Sequence, residues 1–201
     1  MPLTLTVRKL ILTSHVTFSI GWFGAVVVFL VLATKGLTTT NVQVANAAFI
    51  AMEISTFFVI VPFCIASLVT GTVQALGTKW GLFKYYWIVV KLSLTVVMTA
   101  LLILHLQPIS QLAKIGLGGS ASPTAEAGPV VNLIKKSALA LIALLAATTI
   151  SIYKPWGKIQ GGANQEQVKK IPLTSYLFKG LLALLLAFII IHLLTGGMKS
   201  H

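Results

Sequence analysis

The sequence predicts an all-α fold: a polytopic membrane bundle of about five transmembrane helices, with the N-terminus inside. Three observations carry this expectation. Of 201 residues, 57% are hydrophobic and only 9% are charged, whereas a soluble domain covers its surface with about 25% charged residues. The apolar residues fall in continuous blocks long enough to cross a hydrocarbon core of about 30 Å, without the amphipathic rhythm of a soluble helix. Most of the lysines sit at the ends of these blocks, where membrane proteins collect them.

The first block, 10–33, is too long for the apolar region of a signal peptide (about 7–15 residues) and is expected to stay as a membrane helix. Lys35, Gly36 and a threonine-rich turn close it. The second, 44–75, exceeds what a bilayer needs and holds Pro62 in its middle, so it must tilt or kink. The third, 85–106, opens on Tyr85, Tyr86 and Trp87 at an interface and is stopped by Pro108. Residues 107–129 are rich in Gly, Ser, Ala and Pro and are expected to form a flexible surface loop. The fourth block, 130–153, has Lys135 and Lys136 near its start, able to snorkel to the headgroups. A polar loop leads to the fifth, 176–194. No internal repeat divides the chain, and a single membrane domain is expected over 1–201.

With five spans, eight basic loop residues fall on the side of the N-terminus and five on the other. This bias places the N-terminus in the cytoplasm. The net charge of +12 would point to nucleic acid in a soluble protein. Only one of the 15 basic residues is arginine, however, so bidentate phosphate recognition is poorly supplied. The expected partner is the lipid bilayer and not nucleic acid. The lone Cys64 excludes an intrachain disulfide and a cysteine zinc cluster. No nucleotide-binding loop, nucleophile elbow or zinc-protease motif is present. Nothing in the sequence fixes the oligomeric state.

Ionisable groups inside a membrane cost at least about 2.5–3.5 kcal/mol near its centre, so each asks for a reason. The candidates are His15, Glu53, Lys91, His105 and His192. His15, Ser19 and Trp22 share one face of the first helix. Glu53, Ile60, Cys64, Ser67 and Gly71 form a stripe on the second. Trp87, Lys91, Thr95, Met98 and His105 line the third. Three partly polar stripes are expected to face one another, because lipid would penalise each of them. At about 1.5 Å per residue, His15 and Lys91 lie at one depth, level with Ser67, Gly71 and Gln74 of the returning second helix. His105 lies about 30 Å along the third helix, near the depth of His192 on the fifth. Each group also has a plain structural role open to it: His15 can bond a neighbouring carbonyl, Lys91 can snorkel, Gly71 can be a close helix contact, and His105 and His192 can be interfacial.

His15 followed by Trp22 and Phe23 resembles the first helix of the heme-containing membrane protoporphyrinogen oxidases of bacteria. Met52 and Glu53, then Pro62, then Thr70 and Gly71 resemble that family's second helix. Trp87 with Lys91 and Leu92, and the later His105, resemble its third. The likeness covers the first three spans. It implies a heme ligand at His15 and a functionally important lysine at Lys91, in a bacterial plasma membrane. Most of the chain is also similar to an uncharacterised bacterial family of predicted integral membrane proteins. That similarity includes Leu12-Thr13-Ser14-His15, Ala51-Met52-Glu53 and residues 76–83. The first-helix histidine and tryptophan are distantly similar to copper-resistance membrane permeases.

The residues and these resemblances together leave three expectations open. In the first, heme b is bound among the first three helices, with His15 on the iron. Gly71 and Ser67 would leave room for the macrocycle, Trp22 and Trp87 would pack on it, and Lys91 would pair with a propionate or anionic substrate. Glu53 would relay protons, and the chain would move electrons or hydrogen between a quinone and a porphyrin-like or other membrane-soluble partner. In the second, His105 and His192, with Met98 and Glu53 deeper, serve a copper permease or sensor. In the third, the polar stripes are interhelical glue in a non-catalytic assembly factor or partner subunit.

Overall fold

The computed structural model describes residues 4–77, 85–119 and 125–154. Six α-helices and one π-helical turn make up these residues, and no strand occurs among them. In chain order they are α1 (Leu5–Thr38), α2 (Val42–Ser55), the π-turn (Thr56–Ile60), α3 (Val61–Leu76), α4 (Tyr86–Leu104), α5 (Leu106–Leu117) and α6 (Ala127–Tyr153). Consecutive pieces join into four stretches long and apolar enough to cross a membrane: Leu5–Thr38, Val42–Leu76, Tyr86–Leu117 and Ala127–Tyr153. The chain is therefore a multi-pass helical membrane protein. The fifth expected span and His192 lie outside the described residues.

Each helix satisfies its own backbone groups, as hydrocarbon requires. Polar side chains cap the starts of α1 and α2. Thr4 accepts from the Val7 N–H, and the Asn41 carboxamide accepts from the N–H groups of Gln43 and Val44. The 34 residues of α1 extend about 51 Å, well beyond a hydrocarbon thickness of about 30 Å. Its ends must tilt or reach into the headgroups.

α1 packs against α2, α3 and α6, while α4 packs against α3 and α6, and α5 against α2. The core is aliphatic and aromatic: Trp22, Val26 and Phe29 from α1, Phe49 and Met52 from α2, Cys64 from α3, Leu94 and Met98 from α4, Leu139 and Ala143 from α6. The outside is equally apolar, with Ile20, Val28, Phe58, Val69, Leu104 and Ile142 all exposed. Apolar side chains inside and out are what a lipid solvent produces, since no polar coat is needed.

Two prolines shape the second and third spans. Pro62 has no N–H and its ring collides with the carbonyl four residues back. The chain answers with the π-turn just before it, in which the Val61 N–H reaches the Thr56 carbonyl. Pro108 acts similarly on Leu104. The helix breaks at His105 (φ −99°, ψ 2°) and then resumes. Pro108 falls in the first turn of α5, where its missing N–H would have had no helical partner.

That resumption corrects the expectation of a flexible loop over 107–129 for residues 107–117 and 127–129, while 120–124 lie outside the described residues. Residues 106–117 form α5, and 127–129 open α6. The physical reason is a short stripe in which Ile109, Leu112, Ala113 and Gly116 fall on one buried face against α2. Gly116 permits the close approach, since a Cβ there would stand 2.9 Å from the Asn46 carbonyl oxygen.

Candidate functional site

Toward the N-terminal end of the bundle, α1, α3 and α4 turn polar groups toward one another around His15. The imidazole is buried, 9% exposed. Its Nδ1 lies 3.0 Å from the Ser67 carbonyl oxygen and 3.2 Å from the Thr70 Oγ1. A carbonyl only accepts, so Nδ1 carries the proton. The Thr70 hydroxyl donates its own proton to the Ala66 carbonyl at 2.6 Å, which leaves its oxygen to accept from Nδ1 as well. Beside them, the Ser19 and Ser67 hydroxyls pair at 2.8 Å.

With the proton on Nδ1, the neutral ring presents a bare lone pair at Nε2. That nitrogen faces the Lys91 ammonium of α4, 3.2 Å away, and accepts from it. Both contacts demand the same tautomer. Lys91 is half-buried, and among the described residues no carboxylate pairs with it. The centre of the cluster is thus one cation held by one neutral base.

Gly71 is central for a reason other than the expected one. Its missing side chain makes room for the imidazole itself: a Cβ would stand 2.8 Å from His15 Cε1 and 3.2 Å from Nδ1. The space over Gly71 is therefore filled by the His15 imidazole.

The other residues singled out from the sequence lie elsewhere. Trp22 is in the apolar core, about 10 Å along α1 from His15. Trp87 opens α4 one turn before Lys91, with the Lys154 ammonium 5.9 Å from its ring centroid. Glu53 is half-buried on α2, about 27 Å along that span from Gly71, and is not part of the cluster. His105 caps α4 with Nδ1 donating to the Leu101 carbonyl, about 21 Å beyond Lys91. Among the described residues no group of three or more His, Cys, Asp or Glu side chains is placed to hold a metal ion. Met98 is buried in the core.

The pairing of Cys64 Sγ with Thr99 Oγ1 at 3.1 Å, tying α3 to α4, was not foreseen. Its signal was available, since both residues lie on the stripe-bearing faces of their helices. No family model, curated protein or solved structure matches the chain. The fold and site define a class: a multi-pass helical membrane protein with a polar interhelical centre built on His15, Ser67, Thr70 and Lys91.

Proposed function

We propose that this chain is a protein of the bacterial plasma membrane, N-terminus cytoplasmic, that binds heme b through His15 and transfers electrons or hydrogen. The membrane-soluble partner in this proposal is a quinone or a porphyrin-like molecule. One observation carries the reading: the Ser67 carbonyl holds the His15 proton on Nδ1, so Nε2 keeps an unprotonated lone pair, which Lys91 meets. Histidines that ligate metals are commonly oriented by a hydrogen bond of this kind from the other ring nitrogen.

The residues present offer one fitting donor: His15 Nε2 would hold the iron. Bound heme would supply one-electron chemistry, which no side chain here offers alone. Nε2 has a single lone pair, so it could not hold iron and accept from Lys91 at once. The Lys91 ammonium would be available to a carboxylate, either a propionate or an anionic substrate. Thr70 and Ser67 keep the ring from turning.

The test is an absorption spectrum of the purified protein in detergent, oxidised and reduced, after expression with a heme precursor. A Soret band that His15→Ala abolishes and His105→Ala leaves intact is the expected result. A colourless wild-type protein, or a band indifferent to His15→Ala, overturns the reading. The interhelical bonds Ser19–Ser67 and Cys64–Thr99 support a second reading, in which the polar stripes are packing glue and the chain is a non-catalytic partner subunit. A colourless protein with a phenotype only in the presence of its partner favours it.

A further inference from the structure

At the opposite end of the bundle, a cleft of about 340 Å³ opens between the π-turn and α5. It is lined by Phe57, Leu106, Gln107, Ser110, Gln111 and Lys114. The lining contains a cation, two carboxamides and a hydroxyl, but no acid. Among the described residues none of these four polar side chains has a protein partner.

The depth of this cleft follows from two independent observations. Exposed residues change from Ile103 and Leu104 to Gln107, Gln111 and Lys114 within about three turns across the His105 break, with Leu117 the exposed apolar residue at the end of α5. The apolar zone therefore ends near His105. From Trp87, an aromatic of the interfacial kind, to Gln107 is also about 30 Å of helix, one hydrocarbon thickness. Phe57 and Leu106 thus stand at the edge of the hydrocarbon. Lys114, about 10 Å further along α5, stands among the headgroups.

We propose that this cleft seats an anionic phospholipid of that leaflet. Its phosphate is held by the Lys114 ammonium with the Ser110 hydroxyl and the Gln107 and Gln111 carboxamides. The first methylenes of an acyl chain lie on Phe57 and Leu106. The gradient from apolar to donor to cation runs along the bilayer normal, as a lipid does. A free phosphate would leave the apolar end unfilled. A chain with three acids against 15 basic residues also repels a basic partner.

The test uses the full chain in a zwitterionic detergent, with phosphatidylglycerol or phosphatidylcholine added and lipid retention read by native mass spectrometry. Wild-type protein should retain phosphatidylglycerol over phosphatidylcholine. Lys114→Ala should weaken that retention roughly fivefold, the factor that about 1 kcal/mol per basic residue gives. Lys114→Arg should restore it, and Lys35→Ala, which removes another exposed lysine, should leave it unchanged. Lys114 is exposed, but its charge also complements the C-terminal end of α5. The lipid-free unfolding temperature of Lys114→Ala is therefore recorded alongside. Equal retention of the two lipids, or undiminished retention in Lys114→Ala, overturns the proposal. Inorganic phosphate that competes as well as the lipid also overturns it, by reducing the cleft to an anion seat.

Discussion

Gly71→Ala is expected to destabilise the protein and to unseat the His15 imidazole. The added methyl would stand 2.8 Å from Cε1, inside any normal contact. The ring cannot tip away without stretching its 3.0 Å bond to the Ser67 carbonyl. Overpacking of this kind costs about 1–3 kcal/mol, and a lost interhelical hydrogen bond in a membrane adds about 0.6 kcal/mol. Against this, alanine is favoured over glycine inside a helix by about 0.8–1 kcal/mol. Clash and lost bond outweigh propensity, leaving a net loss of about 1–2 kcal/mol. Gly24→Ala isolates the propensity contribution, because nothing lies within 4 Å of a Cβ there. Unfolding in detergent should show the first variant falling below wild type and the second rising slightly. If both rise, the imidazole does not sit over Gly71.

The second large effect is the coupling between His15 and Lys91. His15→Ala removes the acceptor 3.2 Å from the Lys91 ammonium and opens a hole beside Gly71. Cavity and orphaned cation together are expected to cost about 2–4 kcal/mol. Lys91→Met keeps the length of the side chain and discards its charge, so it removes the need for an acceptor. In that background His15→Ala should cost only the cavity and the bonds to Ser67 and Thr70, returning about 1–3 kcal/mol of the loss. A double-mutant cycle of unfolding free energies measures this directly. Additivity within about 0.5 kcal/mol would mean that the two side chains do not meet.

Much of this centre is legible in the sequence, because a membrane turns costly groups inward and helical geometry is regular. His15 and Ser19 sit on one face of α1, Ser67 and Gly71 on one face of α3, and the rise per residue brings Lys91 to their level. The main-chain partner is not legible. Every residue carries a carbonyl, and no side-chain pattern marks that of Ser67 as the one that fixes the imidazole. Gly71 is ambiguous for a related reason: an absent side chain says that something needs room, but not what. It yields to a side chain of its own protein.

The span boundaries follow from hydropathy, but α5 escapes it. Gly, Ser and Pro signal a loop by composition, yet Ile109, Leu112, Ala113 and Gly116 share a face against α2. That stripe is too short to stand out beside a strongly apolar α4. Pro62 announces a distortion in the second span, and the distortion is a π-turn that keeps the helix running where a sharp kink was equally open.

The account rests on the proton of the His15 imidazole. Solid-state NMR of the heme-free protein in bilayers, labelled with ¹⁵N-histidine and assigned by the loss of one signal in His15→Ala, measures its position. The account predicts a neutral ring with a protonated Nδ1 and a bare Nε2, the latter shifted in Lys91→Met. A proton on Nε2 with a bare Nδ1 would contradict it, because that ring could neither donate to the Ser67 carbonyl nor accept from Lys91.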